Sequence, residues 1–307
     1  MSSCPTCGCG TRPARSGRGS VRTTISTPRT WAAWTGGTCA TPSRSSVPRS
    51  RLWAPVCRGW ADELVGTSAA GGREPVVPPG TPLADLAAAA VVPADTPLER
   101  VELLAIDLET TGLDPRKDEV LSVGMVVVRG GQVHLGTARH LPVRPRGQVG
   151  DSAVVHGLTD DALAQAPTME QVLPEVLAAL LHETPVPGVP QDAPPPRRVL
   201  LAHFAEVEAT FLAAACRQVY GTAVGMPVVD TLQIARRLLR AQHHELQAGT
   251  VRLDACRRRH GLPRYRAHSA LTDAVACAEL FLAQTAALEQ VRGRALILRD
   301  VLERRLR

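Results

Sequence analysis

The apolar positions after residue 99 follow first a strand period and then alternate between strand and helix periods. A short apolar run at 103–106 and β-branched stretches at 119–129 and 132–143 predict three strands, with Gly130 and Gly131 turning the chain between the last two. Apolar runs at 198–202 and 227–230 predict two more strands. Because helical patterns separate these later strands, we predict an α/β domain with a mixed five-stranded sheet flanked by helices.

Helical spacing of apolar residues predicts the elements that cover this sheet. The pattern is clear in 169–181, which follows a predicted loop at 154–161 and is ended by a Pro-rich insertion at 185–196. Further helices are predicted over 206–220, 232–241, 251–260 and 270–290. The folded domain is therefore expected to span 99–290, with 291–307 as a basic C-terminal tail.

Residues 1–98 have a different character, with all four Trp, five of the eight Cys and many Ser, Thr, Arg and Pro. They show no sustained period, so we predict a disordered N-terminal extension that ends in a Pro-rich linker, with one short helix at 83–90. Cys4, Cys7 and Cys9 have a spacing that suggests zinc, but no fourth soft ligand follows nearby, which argues against such a site.

The net charge of +6 and pI near 9.1 suggest an anionic partner such as nucleic acid. The charge is unevenly placed: residues 1–80 hold ten Arg against three acids, whereas 81–307 hold 25 basic and 26 acidic residues. No continuous apolar run approaches the ~20 residues of a membrane span. The first residues also lack the apolar centre of a secretory signal. We therefore expect a cytoplasmic protein without a membrane partner.

Two carboxylates follow the first predicted strand, in the sequence Asp107, Leu108, Glu109. Side chains alternate along a strand, so Asp107 and Glu109 are predicted to share a face. Burial of two repelling carboxylates is costly, and a divalent cation held by oxygen ligands would compensate them. Two solvated acids at a strand end are the alternative interpretation.

Two further groups of polar residues stand where strands or loops meet helices. His203 follows the fourth strand and Glu208 lies near the start of the next helix, although the helix dipole alone also favours an acid there. Ser269 fits the N-cap of the last long helix, which puts His268 in the preceding loop and Asp273 one turn inside. Alone, His268 would be interpreted as an exposed loop residue.

Together these three groups resemble the DEDDh family of 3′-5′ exonucleases, and within it the proofreading epsilon subunits of bacterial DNA polymerase III. The resemblance runs over 101–290 and rests on D-x-E-T-T-G, His-x(4)-acid and His-x(4)-Asp in that order. His156 to Thr159 are similar to the family's H-G-I-T loop, and Asp230–Thr231 to its later strand and turn. A ribonuclease H-like fold is implied.

The resemblance also implies the site. The predicted ligands of two Mg²⁺ or Mn²⁺ ions are the acids Asp107, Glu109, Glu208 and Asp273, and His268 is the predicted general base. The residues predicted to bind substrate are Thr110, Thr111, Gly112, Leu113, His156, His203 and Phe204. The expected partner is a single-stranded 3′ end, with DNA favoured over RNA. An RNA-trimming enzyme or an inactive nucleic-acid-binding relative remain alternatives, and a polymerase partner is possible without a recognisable attachment motif.

The second motif departs from the family pattern H-N-A-x-F-D. Glu208 stands where most relatives have Asp, and Phe204 replaces an amide side chain. The fold is expected to tolerate both changes, whereas metal geometry and rate are the properties they affect.

Overall fold

A single mixed sheet of five strands, in the order β3-β2-β1-β4-β5, forms the centre of the computed structural model, which describes residues 76–182, 195–242, 247 and 249–303. The pairs β1–β2 and β2–β3 are antiparallel, while β1–β4 and β4–β5 are parallel. The strands are β1 (Leu103–Thr110), β2 (Val120–Arg129), β3 (Gln132–Pro142), β4 (Val199–Ala202) and β5 (Val228–Asp230). The predicted fold class is confirmed.

Helices cover both faces of this sheet. In the described residues they are α1 (Pro82–Ala88), α2 (Ala153–His156), α3 (Asp160–Leu163), α4 (Met169–Ala179), α5 (Glu206–Tyr220), α6 (Thr231–Ala241), α7 (Leu253–Arg259) and α8 (Ala270–Arg292). The stretch 154–161, predicted as a loop, overlaps α2 and α3. Each has four residues, too few to show an apolar period, and Gly157 in the left-handed conformation separates them.

Strand β1 is buried on both faces, and its alternation decides where the acids point. Leu104 and Ile106 lie in the core beneath α4 and α5, whereas Leu103 and Ala105 pack in the core beneath α6 and α8. Because side chains two apart share a face, positions 107 and 109 continue the Leu103–Ala105 row. Both carboxylates therefore lie on the α8 side of the sheet.

The start of α8 rests directly on the sheet at Gly124. This glycine pairs with Asp107 across β1 and β2. A Cβ atom at position 124 would lie 2.0 Å from the carbonyl carbon of Ala270 and 2.1 Å from the nitrogen of Leu271. Only glycine permits this approach, which brings the first turn of α8 beside the end of β1.

The folded part of the chain extends beyond both predicted boundaries. Leu83 and Leu86 of α1 are fully buried in the core that contains Leu104, so the segment before residue 99 is more than a linker. Three backbone hydrogen bonds join it to the C-terminal segment, from Leu98 N to the carbonyl of Leu296, from Leu298 N to that of Thr96 and from Arg299 N to that of Ala94. The helix itself agrees with the short helix predicted at 83–90, whereas the burial of its two leucines depends on contacts with distant parts of the chain.

The other predictions for the two ends and for the insertion fall where the structure describes little or nothing. Residues 1–75, 183–194 and 304–307 lie outside the described residues, and with them the disordered extension, most of the Pro-rich insertion and the three cysteines Cys4, Cys7 and Cys9.

Helix α8 is long and apolar enough to cross a membrane by length and composition alone, which the search for continuous apolar runs did not indicate. Its Cys277, Ala278 and Phe281 are buried in the core with Leu103 and Ala105. These contacts give α8 the place of a core helix in a globular domain.

Candidate active site

Three carboxylates meet where β1 ends and α8 begins. One carboxylate oxygen from each of Asp107, Glu109 and Asp273 lies within 4.8 Å of the other two. The strand supplies two acids on one face and the helix supplies the third from its first turn. The structure thus brings together residues more than 160 positions apart in sequence, because the backbone of α8 can approach Gly124.

Glu208 is buried beside this group, in the first turn of α5. Its side chain is 4% exposed, and its Oε2 atom has no hydrogen-bond partner among the described residues. It stands outside the 4.8 Å group, yet of the neighbouring charges its carboxylate raises the pKa of Asp107 most. Glu208 is therefore a fourth acid adjacent to the other three.

Burial and mutual repulsion hold these carboxyl groups toward their protonated forms. The pKa of Asp107 is well above its usual value, because of burial and then the charges of Glu208, Asp273 and Glu109. Burial, with Asp273 beside it, raises the pKa of Glu109 to about 7. Burial raises that of Glu208 to about 8, with the charge of Asp230 acting in the same direction. For Asp273, burial raises the pKa against the opposing hydrogen bond from the His268 backbone.

This arrangement fits a divalent cation. The ligand atoms available are all hard carboxylate oxygens, which suit Mg²⁺ or Mn²⁺ better than zinc. The buried, unpartnered Oε2 of Glu208 would be satisfied by a cation, and positive charge would relieve the repulsion among the four acids. The ligand set implied by the sequence remains a prediction that these observations favour.

A pH dependence of stability follows for the metal-free protein. A carboxyl group whose pKa is raised on folding stabilises the folded state fully at a pH below its unfolded-state pKa, which is near 4.5 for Glu. That contribution is lost as the pH rises through the folded-state pKa, which is about 7 for Glu109 and about 8 for Glu208. We expect the unfolding temperature in EDTA to fall by roughly 5 °C or more between about pH 5 and pH 8. Thermal melts at both pH values test this.

Manganese ions should restore the loss at pH 8, because they bind the ionised acids of the folded state. Glu208→Gln should show a smaller decline with pH than the unchanged chain. A melting temperature that is constant over this range, with or without Mn²⁺, would mean that the carboxylates do not repel each other in solution.

His268 lies in the turn before α8, at the rim of the carboxylate group. Its side chain is exposed, its φ is 69°, and its backbone N–H donates to Oδ2 of Asp273 at 2.8 Å. Ser269 occupies the N-cap position, although its side chain makes no cap hydrogen bond. The hydrogen bond to Asp273 ties the predicted base to a predicted metal ligand.

Arg257 fixes the loop that leads to His268, and the sequence did not point to it. Its side chain is 3% exposed and donates to the carbonyls of Ala276 and Pro263 and to Oε2 of Glu279. Its guanidinium also lies 4.5 Å from the ring centroid of Tyr265. In the run Arg257–Arg259 this residue is easily taken for part of a solvated face. Its position next to Cys256, which is buried, was the one sequence feature that could have indicated the burial of Arg257.

Part of the chain that carries these carboxylates is similar in sequence to a known protein family. Residues 104–186 match the family model RNase_T, described as an exonuclease. This part of the chain is therefore similar to an RNase_T exonuclease domain. The resemblance to the DEDDh exonucleases is confirmed at the level of the family.

The relatives of this chain include proteins named as DNA polymerase III or as one of its subunits. A PolC-type DNA polymerase III of Thermotoga petrophila is 30% identical over 189 residues, which are 61% of this chain and 12% of that polymerase. The DNA polymerase III subunit epsilon of Aquifex aeolicus is 26% identical over 181 residues, 58% of this chain and 78% of that protein. This chain thus spans about a tenth of the PolC-type relatives.

Among solved structures, the zinc-bound complex of E. coli exonuclease I with single-stranded DNA has a similar fold. Its TM-score is 0.50 at 14% identity, covering 63% of this chain and 42% of that chain. At this identity the likeness concerns the fold alone.

The turn after β1 in the exonuclease domain is braced by its own hydroxyl groups. Thr110 Oγ1 donates to the carbonyl of Gly112 at 2.6 Å, and Thr111 Oγ1 accepts from the backbone nitrogen of Glu119 at 2.9 Å. A Cβ atom on Gly112 would lie 2.4 Å from Oδ2 of Asp118. In this turn Leu113, which is predicted to contact the substrate, is 70% exposed.

His156 lies near His268, whose charge, after burial, lowers the pKa of His156. Its Nδ1 accepts from the backbone nitrogen of Leu158 at 3.1 Å, so the proton of the neutral ring is on Nε2. That Nε2 atom is buried and has no hydrogen-bond partner among the described residues. The ring of His156 thus has one donor without a partner among the described residues, and its contact with substrate stays a prediction.

His203 requires a correction, because its ring is occupied inside the domain. Its Nε2 lies 2.8 Å from the carbonyl of Val251 and its Nδ1 lies 2.8 Å from Oγ1 of Thr231. Burial lowers the pKa of His203, so the neutral ring donates to Val251 and accepts from Thr231. The residue joins β4 to two other segments, and we assign it a structural role in place of the predicted substrate contact.

Phe204 follows in a left-handed conformation, with a φ of 75°. Its backbone nitrogen donates to Oδ1 of the buried Asp230, which also accepts from Leu232 N. Asn, the family's residue, adopts this conformation more readily than an aromatic residue does. The Asp230 contact holds the turn that leads into the helix of Glu208.

Proposed function

We propose that this chain is a metal-dependent 3′-5′ exonuclease that hydrolyses phosphodiester bonds at the 3′ ends of DNA. The observation that carries the proposal is the meeting of Asp107, Glu109 and Asp273 within 4.8 Å, with Glu208 buried beside them. Each acid type is a hard ligand, and the group lies at the rim of a sheet in an exonuclease domain. In a structural ion-pair network each acid would have a basic partner, whereas the neighbouring charges that act on Asp107 are those of the other three acids.

The residues of the site have different roles in the proposed hydrolysis. Asp107, Glu109, Glu208 and Asp273 would hold two Mg²⁺ or Mn²⁺ ions, which supply Lewis acidity for the attack of water on phosphorus and neutralise charge on the departing 3′-oxygen. His268 takes the proton from the attacking water, for which an imidazole is suited near neutral pH. The turn at Thr110 to Leu113 supports the terminal nucleotide, and His156 Nε2–H donates to the substrate.

DNA is the favoured substrate because the relatives are DNA polymerases. The matched polymerase III proteins are named for DNA synthesis, and the exonuclease I structure contains single-stranded DNA. By analogy, we propose a cytoplasmic location and a polymerase as a possible partner. The chain carries no recognisable attachment motif in support of that partner.

The test is digestion of single-stranded DNA that carries a 5′ label. A 3′-5′ enzyme shortens the labelled strand one nucleotide at a time, needs Mg²⁺ or Mn²⁺, and is inhibited when phosphorothioate linkages block the 3′ end. Release of the labelled 5′ nucleotide first would overturn the polarity. An RNA strand of the same sequence is the second arm, and faster cleavage of RNA would replace DNA as the substrate.

Glu208→Asp tests the departure from the family pattern. The carboxylate of Glu208 already lies outside the group formed by the other three acids, and removing one methylene retracts it by about 1.5 Å. We therefore expect hydrolysis to fall, by about 10²-fold with Mg²⁺ and by less with Mn²⁺, since Mg²⁺ requires near-ideal geometry. Initial rates with both ions measure the effect.

The matched control is Glu208→Gln, which keeps the length of the side chain and removes its charge. It should lower the rate with both ions. A large gain in activity for Glu208→Asp with Mg²⁺ would show instead that the longer side chain impairs the site.

A further inference from the structure

We propose that the loop at 263–267 binds the phosphates of a single strand as the strand leaves the active site, through Arg264 and Arg266. This inference rests on the proposed function and adds to it a binding surface outside the carboxylate group. The loop ends at His268, so a nucleic acid whose terminal bond lies at the carboxylates must pass close to it.

The loop is fixed from its inner side. Arg257 donates to the carbonyl of Pro263 at 3.0 Å, and its guanidinium lies against one face of the Tyr265 ring. The hydroxyl of Tyr265 donates to Oε1 of Glu279 at 2.9 Å. These contacts on α7 and α8 use Pro263 and Tyr265 as anchors. The flanking side chains of Arg264 and Arg266 are exposed and have no ion pair or hydrogen bond with the described residues.

The charges around the loop leave these two arginines available for an anion. Glu279 is paired with Arg257, and Asp254 on α7 is paired with Arg258 at 3.4 Å. The other nearby arginine with a fixed contact, Arg259, donates to the carbonyl of Thr250. Glu279 and Asp254 thus already have other arginines as partners.

A phosphate backbone needs such a surface here. The four catalytic carboxylates repel an approaching polyanion, and residues 81–307 as a whole carry 25 basic against 26 acidic residues. Arg266 and Arg264 precede His268 by two and four residues, so their backbones lie within about 7 and 14 Å of it along an extended chain. That range suits the phosphates nearest to the scissile bond. The exposed part of the Tyr265 ring offers a stacking surface between them.

The experiment compares a substrate that reaches the loop with one that is too small to do so. The long substrate is a single-stranded DNA of about twelve nucleotides, and the small one is the p-nitrophenyl ester of thymidine 5′-monophosphate. The variants of the full chain are Arg264→Gln/Arg266→Gln, the matched Arg264→Lys/Arg266→Lys, and the control Arg240→Gln/Arg299→Gln. The control removes two exposed charges outside the loop.

For the Gln pair in the loop we expect kcat/KM on the DNA to fall by about 10-fold, with the ester hydrolysed at the unchanged rate. The slope of log affinity against log salt, measured with Ca²⁺ in place of the reactive ion, should decrease by about 1.4 for the loss of two phosphate contacts. The Lys pair and the control pair should retain both the rate and the slope.

Three results would overturn the proposal: an equal loss on both substrates, no loss on either, or a loss in the control pair as large as that in the loop pair. The first would mean that the arginines position His268. If the unchanged chain hydrolyses neither substrate, the proposed function fails, and the DNA affinities with their salt slopes still decide whether the loop binds a strand.

Discussion

Asp107→Asn is expected to lower phosphodiester hydrolysis by at least about 10³-fold while the domain stays folded. Asp107 interacts with each of the other three acids: after burial, the charges of Glu208, Asp273 and Glu109 all raise its pKa. Asn has nearly the same shape and can still occupy the space, but it cannot supply an anionic oxygen to a cation. Single-turnover rates on labelled DNA with Mg²⁺ measure the loss.

The same substitution should stabilise the metal-free protein, because it removes one member of a repelling group. Thermal unfolding in EDTA therefore separates loss of function from loss of fold: the melting temperature rises while the rate falls. Asp95→Asn, at an exposed acid in the segment before β1, is the matched control and should change neither quantity. A rate for Asp107→Asn within a few-fold of the unchanged chain would refute the metal-ligand assignment.

His268→Ala is expected to lower the rate by roughly 10²- to 10⁴-fold, the range for a general base. The exposed ring is held near the carboxylates by the hydrogen bond from its backbone to Asp273, and that bond does not involve the side chain. The substitution should therefore leave the metal ligands in position. Rates measured across pH 5 to 9 should also lose the limb that rises from acid toward neutral pH.

Added imidazole provides a sharper test of the same residue, because it can replace the missing base from solution. We expect partial recovery of activity in His268→Ala and none in Asp107→Asn. His140→Ala, at an exposed histidine of β3, serves as the control and should behave as the unchanged chain. A pH profile of unchanged shape in His268→Ala, merely scaled down, would indicate that the histidine has a structural role.

The sequence was most informative where a local period determines geometry. Alternation along β1 places Asp107 and Glu109 on one face, and that conclusion needs no knowledge of distant residues. The N-cap position of Ser269 likewise sets Asp273 one turn into α8. These rules predicted the acids, while the meeting of β1 with α8 had to be taken from the family resemblance.

What the sequence could not supply depends on contacts between distant segments. Nothing local distinguishes Arg257 from its neighbours, since its burial comes from packing against α8 and the loop before His268. His203 matches a family motif, yet its partners Thr231 and Val251 are 28 and 48 residues away. The backbone hydrogen bonds between 94–98 and 296–299 join segments that are even further apart in sequence. For this reason both domain boundaries were predicted too close to the site.

The contact between Gly124 and the first turn of α8 has a consequence for how the site responds to heat. The main chain of α8 contacts the main chain of β2 directly, so no side chain between them could change rotamer and alter the distance from the helix to the sheet. Small losses of packing elsewhere in the domain would leave the spacing between Asp107 and Asp273 unaltered. Thermal inactivation should therefore coincide with cooperative melting of the sheet, without a preceding stage in which the protein is folded but inactive.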